Sequence, residues 1–284
     1  MERQNTMVET GKILPFPGYP FRIVDDDEMH ALVESIMLDD IHTPVVVRSV
    51  GEDSYEMISG HRRLFAALQI GLNSIPAEVK QYSDEEAVIA MVDAGLQRGD
   101  LLPSEKAIAY RMRYDAMRAI AKRPGKRRSS PVAEKGQLDI ALAKEVGESR
   151  GHLHRYLRLV HVIPAIRELV DQNAIALMTA VEVSYLEPKV QEMLYDYMRE
   201  NDICKSYQLY AVREYLQEHK TITRMELTRI LNENAPPNPG NQFQKITIRK
   251  SKLREYFPGF YTKTQMENVI YKLLEEWKKN QAEE

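Results

Sequence analysis

The sequence predicts an α+β domain, then an all-α domain, then a small α-rich C-terminal piece. Three observations carry that reading. Strand-like runs occur within the first hundred residues, interleaved with helical patterns. After Pro103 helical patterns follow one another to about Asn234 with no convincing strand between them. The stretch from Asn234 to Asn241 then holds Pro236, Pro237 and Pro239, so it cannot be helical and reads as a linker. The expected boundaries are residues 1–100, 101–234 and 245–284.

In chain order, Pro44 to Arg48 is a β-branched run, and Ser54 to Ile58 alternates with the period of a strand. Ile75 to Val79 is a third, weaker strand. Helices are expected over Asp27–Met37, Arg62–Ile70 and Asp84–Val92. The stretch MVDAGLQRGDLLPSEKA, Met91 to Ala107, stops one helix and starts another, with Pro103 and Ser104 signalling the second start. Gln97, Arg98 and Asp100 crowd the polar elbow between them. Further helices are expected over Ser104–Ala121, Gln137–Val146, Ser149–Leu159 and Pro164–Val170, with a basic loop from Lys122 to Pro131. Beyond the linker come one strand, Lys245–Arg249, and a helix, Lys263–Lys279. Its apolar stripe of Met266, Val269, Ile270, Leu273, Leu274 and Trp277 either packs on its own domain or forms a dimer seam.

The chain has 284 residues, enough for two or three cored domains, and 43% hydrophobic against 29% charged residues is ordinary globular composition. No apolar run approaches the ~18 residues of a membrane span, and no leader pattern opens the chain, so the expectation is a cytoplasmic protein with no membrane partner. The single Cys204 excludes an intrachain disulfide framework and reads as structural. A net charge of −3 conceals a strong asymmetry. Residues 1–110 net −10 and residues 168–284 net −2, whereas residues 111–167 carry 14 Lys+Arg against 5 Asp+Glu. Clustered basic charge is the footprint of a polyanion partner, the alternative being a solvated helix surface.

Two motifs carry chemistry. Leu142-Ala143, Val146-Gly147, Leu153 and Tyr156 have the spacing of a helix-turn-helix, with Ser149 as cap of the second helix. Arg150, His152, Arg155 and Arg158 would then lie on or near its outer face, where such a helix enters the major groove. Lys126, Arg127 and Arg128 of the basic loop add charge and favour DNA over an ordinary helical hairpin. In the second motif a strand ends at Ser59, Gly60 turns, and His61, Arg62 and Arg63 open a helix. Unpaired amides and the positive end of the dipole make such a start a phosphate site, the alternative being a solvated arginine pair.

The order of these motifs resembles the ParB family of DNA-partition proteins. G-H-R-R is followed by L-Q-R-x-D-L-x-P-x-E and then by a helix-turn-helix; upstream, DDIHTPVVVR is similar to the stretch before the family's first motif. The likeness runs from about Ile23 to Leu186, and the C-terminal third resembles a subset found on mobile elements of Gram-positive bacteria. The resemblance implies a ParB/sulfiredoxin-like N-terminal fold that binds cytidine triphosphate (CTP) with Mg2+. Gly60, His61, Arg62 and Arg63 would hold phosphates, and Gln97 and Arg98 would close the site. It further implies a homodimer on double-stranded DNA, a clamp gated by nucleotide, a Walker-type partition ATPase as partner, and a place on the nucleoid. One departure matters. The family has Glu-Asn before Leu-Gln-Arg, with Asn supplying an oxygen to the metal and Glu assisting hydrolysis; here Ala94-Gly95 stand there. The expected CTPase activity is therefore weak or absent, with Asp93 or Asp100 as the acids nearest by sequence.

Two other readings compete. One is a helix-turn-helix transcriptional regulator whose N-terminal domain lacks nucleotide chemistry. The other is a nucleotide-using enzyme on the same scaffold. Sulfiredoxin's own chemistry is excluded, because its C-H-R turn has Cys where this chain has Gly60.

Overall fold

The computed structural model describes residues 5–99, 101–123, 135–201, 204–235, 253, 256–259 and 261–281. The chain divides into two compact units, Met1–Ala235 and Pro236–Glu284. The first two expected segments thus share one unit.

That unit opens on a mixed five-stranded sheet. Its strands are β1 (Asn5–Glu9), β2 (Ile13–Leu14), β3 (Val45–Ser49), β4 (Tyr55–Ser59) and β5 (Ser74–Lys80), in the order β1-β5-β3-β4-β2. β1 runs antiparallel to β5 and β3 antiparallel to β4, while β5–β3 and β4–β2 are parallel. The alternation of side chains along a strand sets the layers. Val45, Val47 and Met57 point to one face, against Met29 and Ile36 of α1 (Asp27–Asp39) and Ala66 of α2 (His61–Gln69). Val46 and Ile58 point to the other, against Ala87, Met91 and Val92 of α3 (Asp84–Leu96). β1 and β2 go beyond the three strands the sequence shows. β2 is two residues long, and Asn5–Glu9 lies at the sheet edge, so neither has enough length or buried alternation to leave a period.

Local chemistry explains where the helices start. Asp26 caps α1 by accepting from the Met29 amide at 2.8 Å. Ser83 and Glu86 form a reciprocal capping box at α3. Gly60, at φ +101°, brings the chain off β4 into α2; a Cβ there would lie 2.7 Å from Cγ1 of Val45.

α4 (Pro103–Lys122) packs on both α3 and α6 (Arg150–Leu159), so it carries the sheet layer into the helical part. Around it lie α5 (Lys135–Glu145), α7 (Pro164–Asp171), α8 (Leu177–Val183), α9 (Pro188–Glu200), α10 (Ser206–His219) and α11 (Arg224–Glu233). Tyr110, Leu142, Leu153, Leu159, Ile166 and Leu194 are among the side chains of one continuous core. Buried Gln191 is satisfied: its side-chain amide accepts from the Ile163 amide and donates to the carbonyls of His161 and Leu186. Cys204 is buried, and that burial pushes its thiol pKa up to about 12, as befits a packing residue.

In the second unit α12 (Lys263–Gln281) starts at Thr262, whose hydroxyl accepts from the Gln265 amide. Met266, Val269 and Ile270 are half-buried and Leu273 and Leu274 exposed. The expected strand Lys245–Arg249 and the Trp277 side chain lie outside the described residues. Among the described residues no helix is long and apolar enough to cross a membrane.

Candidate anion cleft and helix-turn-helix

The start of α2 and the end of α3 meet across a cleft of about 170 Å³. Gly60, His61, Arg62 and Arg63 form one wall, Ala94, Gly95 and Arg98 the other, and Tyr19 reaches in from the segment before α1. Each guanidinium is braced from behind. Arg62 lies 3.3 Å from Asp26 and 3.5 Å from Glu28. Arg63 donates to the carbonyls of Thr43 and Pro44, and Arg98 to that of Arg22 at 3.2 Å. Burial lowers the pKa of Arg63 without threatening its charge. The cleft is therefore positively charged and lined with N–H donors, at the helix end where the dipole adds to the effect.

His61 is its most constrained member. Its ring stacks on Tyr19 with centroids 3.6 Å apart. Burial first, and then the Arg98 charge, lower its pKa to about 4, so it is neutral at pH 7. Its Nε2 is buried with no hydrogen-bond partner, a group that an incoming acceptor would satisfy.

Gly95 also finds its reason here. A Cβ on it would fall 2.0 Å from Cε2 and 2.3 Å from Cζ of Phe21, so the aromatic ring fills the space of a side chain at this position. Residues 19–22 act as a strap. Tyr19 covers His61, Phe21 covers Gly95, and the Arg22 amide donates to buried Glu105 at 2.7 Å while its guanidinium sits 3.5 Å from Asp171. Asp171 in turn accepts from the amide and hydroxyl of Ser104. Tyr19, Phe21 and Arg22 escaped the motif reading; their signal was the aromatic-rich PFPGYPFR.

One expectation for the elbow does not hold. Gln97 is exposed and lines a neighbouring groove of about 600 Å³ with Asp93, Tyr110 and Arg113, whereas Arg98 reaches the cleft. The turn after α3 directs successive side chains apart. Asp93 is taken by Arg113, which also holds Glu145 of α5 at 2.7 Å. Asp100 lies outside the described residues.

α5 and α6 form the helix-turn-helix. Gly147 turns at φ +71°, Ala143 is buried between the helices, and Leu153 and Tyr156 face inward. Ser149 caps α6 by accepting from the His152 amide at 3.2 Å. His152 is held 2.6 Å from Glu148. Arg150 and His154 lie 3.6 and 3.0 Å from buried Asp139, a pairing the sequence did not reveal. Arg155 is exposed. Arg158 departs from the expected outer face. It donates to the Ser184 hydroxyl and carbonyl and lies 4.2 Å over the Tyr185 ring, because its place on α6 faces α8. Lys126, Arg127 and Arg128 lie outside the described residues.

Residues 2–94 match the family model of the ParB N-terminal domain. A nucleoid occlusion protein of Listeria innocua is 33% identical over 193 residues, 64% of this chain and 66% of that protein. Chromosome-partitioning protein Spo0J of Thermus thermophilus is 30% identical over 177 residues, 62% of this chain and 58% of that one. The chain thus spans slightly less than two thirds of the length of these relatives. A solved structure, the C-terminally truncated chromosome-partitioning protein ParB of Caulobacter crescentus complexed to the centromeric parS site, is 17% identical. It covers 80% of this chain and 99% of that one, with a TM-score of 0.41. Residues 2–94 thus carry a ParB N-terminal domain, and the chain is similar over most of its length to nucleoid occlusion and chromosome-partitioning proteins.

Proposed function

We propose that this protein is a site-specific DNA-binding partition protein of a chromosome, plasmid or mobile element, with a nucleotide-sensing domain over residues 1–100. The observation that carries the reading is one compact unit holding both a matched ParB N-terminal domain and a helix-turn-helix. α6 enters the major groove of double-stranded DNA, with Arg150, His152 and Arg155 near base edges and Lys126, Arg127 and Arg128 on phosphates. The cationic cleft takes the phosphates of a cytidine nucleotide, which gates closure of a dimeric clamp. The apolar stripe of α12 supplies the homodimer contact in residues 245–284, a Walker-type ATPase engages the N-terminus, and the protein works on the nucleoid in the cytoplasm.

No carboxylate lines the cleft among the described residues, which favours nucleotide binding over catalysis. CTP hydrolysis is accordingly weak or absent. Chromatin immunoprecipitation with sequencing tests the partition reading. A peak spreading over kilobases supports a sliding clamp; a narrow peak turns the reading to a transcriptional regulator, and no peak removes DNA as the partner.

A further inference from the structure

Three guanidinium groups and a helix start surround the cleft, and among the described residues no acid lines it. We propose that it takes its polyphosphate as the free anion, without a divalent cation held by the protein. The inference deepens the nucleotide reading and rests on it for the cytidine, though not for the phosphates.

Magnesium needs near-octahedral oxygen ligands, usually one or two carboxylates beside the phosphates. The α3 wall offers none. Ala94 brings only a methyl group, and Phe21 occupies the space into which any side chain at Gly95 would reach. The described carboxylates nearby already have partners. Asp26 caps α1 and holds Arg62, which Glu28 also holds. Asp93 is bound to Arg113. Glu105 spends one oxygen on the Arg22 amide and the other on the Leu102 amide. Among the described residues no group of three His, Cys, Asp or Glu side chains is placed to hold a metal ion.

Charge points the same way. A cation entering between Arg62, Arg63 and Arg98 meets like charge and, among the described lining residues, no carboxylate. A polyphosphate without its metal brings its full negative charge to those groups, and charge-assisted hydrogen bonds do the metal's neutralising work. His61, whose Nε2 is buried without a hydrogen-bond partner, also lines the cleft.

The test titrates the full chain calorimetrically with inorganic tripolyphosphate and with CTP, each in excess Mg2+ and in EDTA at matched ionic strength. Both ligands are expected to bind in EDTA as tightly as in Mg2+ or more so, within about threefold; a loss of about tenfold or more in EDTA overturns the proposal. Arg62→Ala should weaken both ligands by about tenfold in either buffer, as loss of a charge-assisted contact predicts. Asp100→Asn should leave all four titrations unchanged, and binding lost by it only in Mg2+ also overturns the proposal. Tripolyphosphate binding without CTP binding would remove the cytidine reading and leave the metal-free site standing. If neither ligand binds in either buffer, both fail.

Discussion

Gly95 shows how a single residue acquires meaning only with its neighbour. It is a helix weakener near the end of α3, and the ring of Phe21 requires it, since a Cβ would fall 2.0 Å from that ring. Gly95→Ala should therefore cost about 1–3 kcal/mol by overpacking, measured by urea unfolding. Combined with Phe21→Ala it should cost less than the sum of the two single changes, and strict additivity would contradict the contact. His61 makes a pH prediction at the same scale. Its pKa, about 4 when folded against 6.5 unperturbed, is depressed, so the unfolded chain takes up a proton first. The stability it preserves above pH 6.5 is lost as pH falls toward 4. His61→Gln should flatten that part of the stability profile; an unchanged slope would show that the ring does not titrate there. G-H-R-R was legible from its residues as a turn at Gly60 into the start of α2. Phe21, Tyr19 and Asp26 were not, because nothing in the local pattern says which upstream segment will cross the cleft.

At the scale of elements, the helix-turn-helix was read almost whole, since Gly147, Ser149 and the apolar spacing are local signals. The roles of its arginines were less legible. Arg155, exposed, and Arg158, bound to Ser184 and Tyr185, differ by less than one helical turn. Arg155→Ala should weaken specific DNA more than random DNA, and Arg127→Ala both alike, read by fluorescence anisotropy. Arg158→Ala should lower stability and leave base preference unaltered. Equal losses of specific and random binding in Arg155→Ala would move recognition off this face. Arg113 joins elements that the sequence leaves unrelated: it is buried in α4 and pairs with Asp93 of α3 and Glu145 of α5. Both partners are about half exposed, so Arg113→Met should cost about 2 kcal/mol rather than the ~3–5 of a fully buried pair. Chemical denaturation measures this, and a cost near zero would mark the pair as incidental.

For the whole molecule, the uneven charge matters more than its sum. A net of +9 over residues 111–167 inside a chain of net −3 predicts a steep salt dependence of DNA binding. If about six phosphates are neutralised, log affinity should fall with a slope near −5 against log salt. A flat response would remove the polyanion reading. The sequence by itself determined whatever depends on near neighbours. Alternation marked β3, β4 and β5, caps and prolines marked most helix starts, and the motifs before Ala94 marked a ParB N-terminal domain. The tertiary structure alone decided which side chains share a space. It set Phe21 against Gly95, turned Gln97 away from the cleft that Arg98 enters, and placed Arg158 on α8. Periodicity reports which face of an element is buried. Partners brought together by long-range packing leave no such trace, because their spacing along the chain is set by the path of the fold.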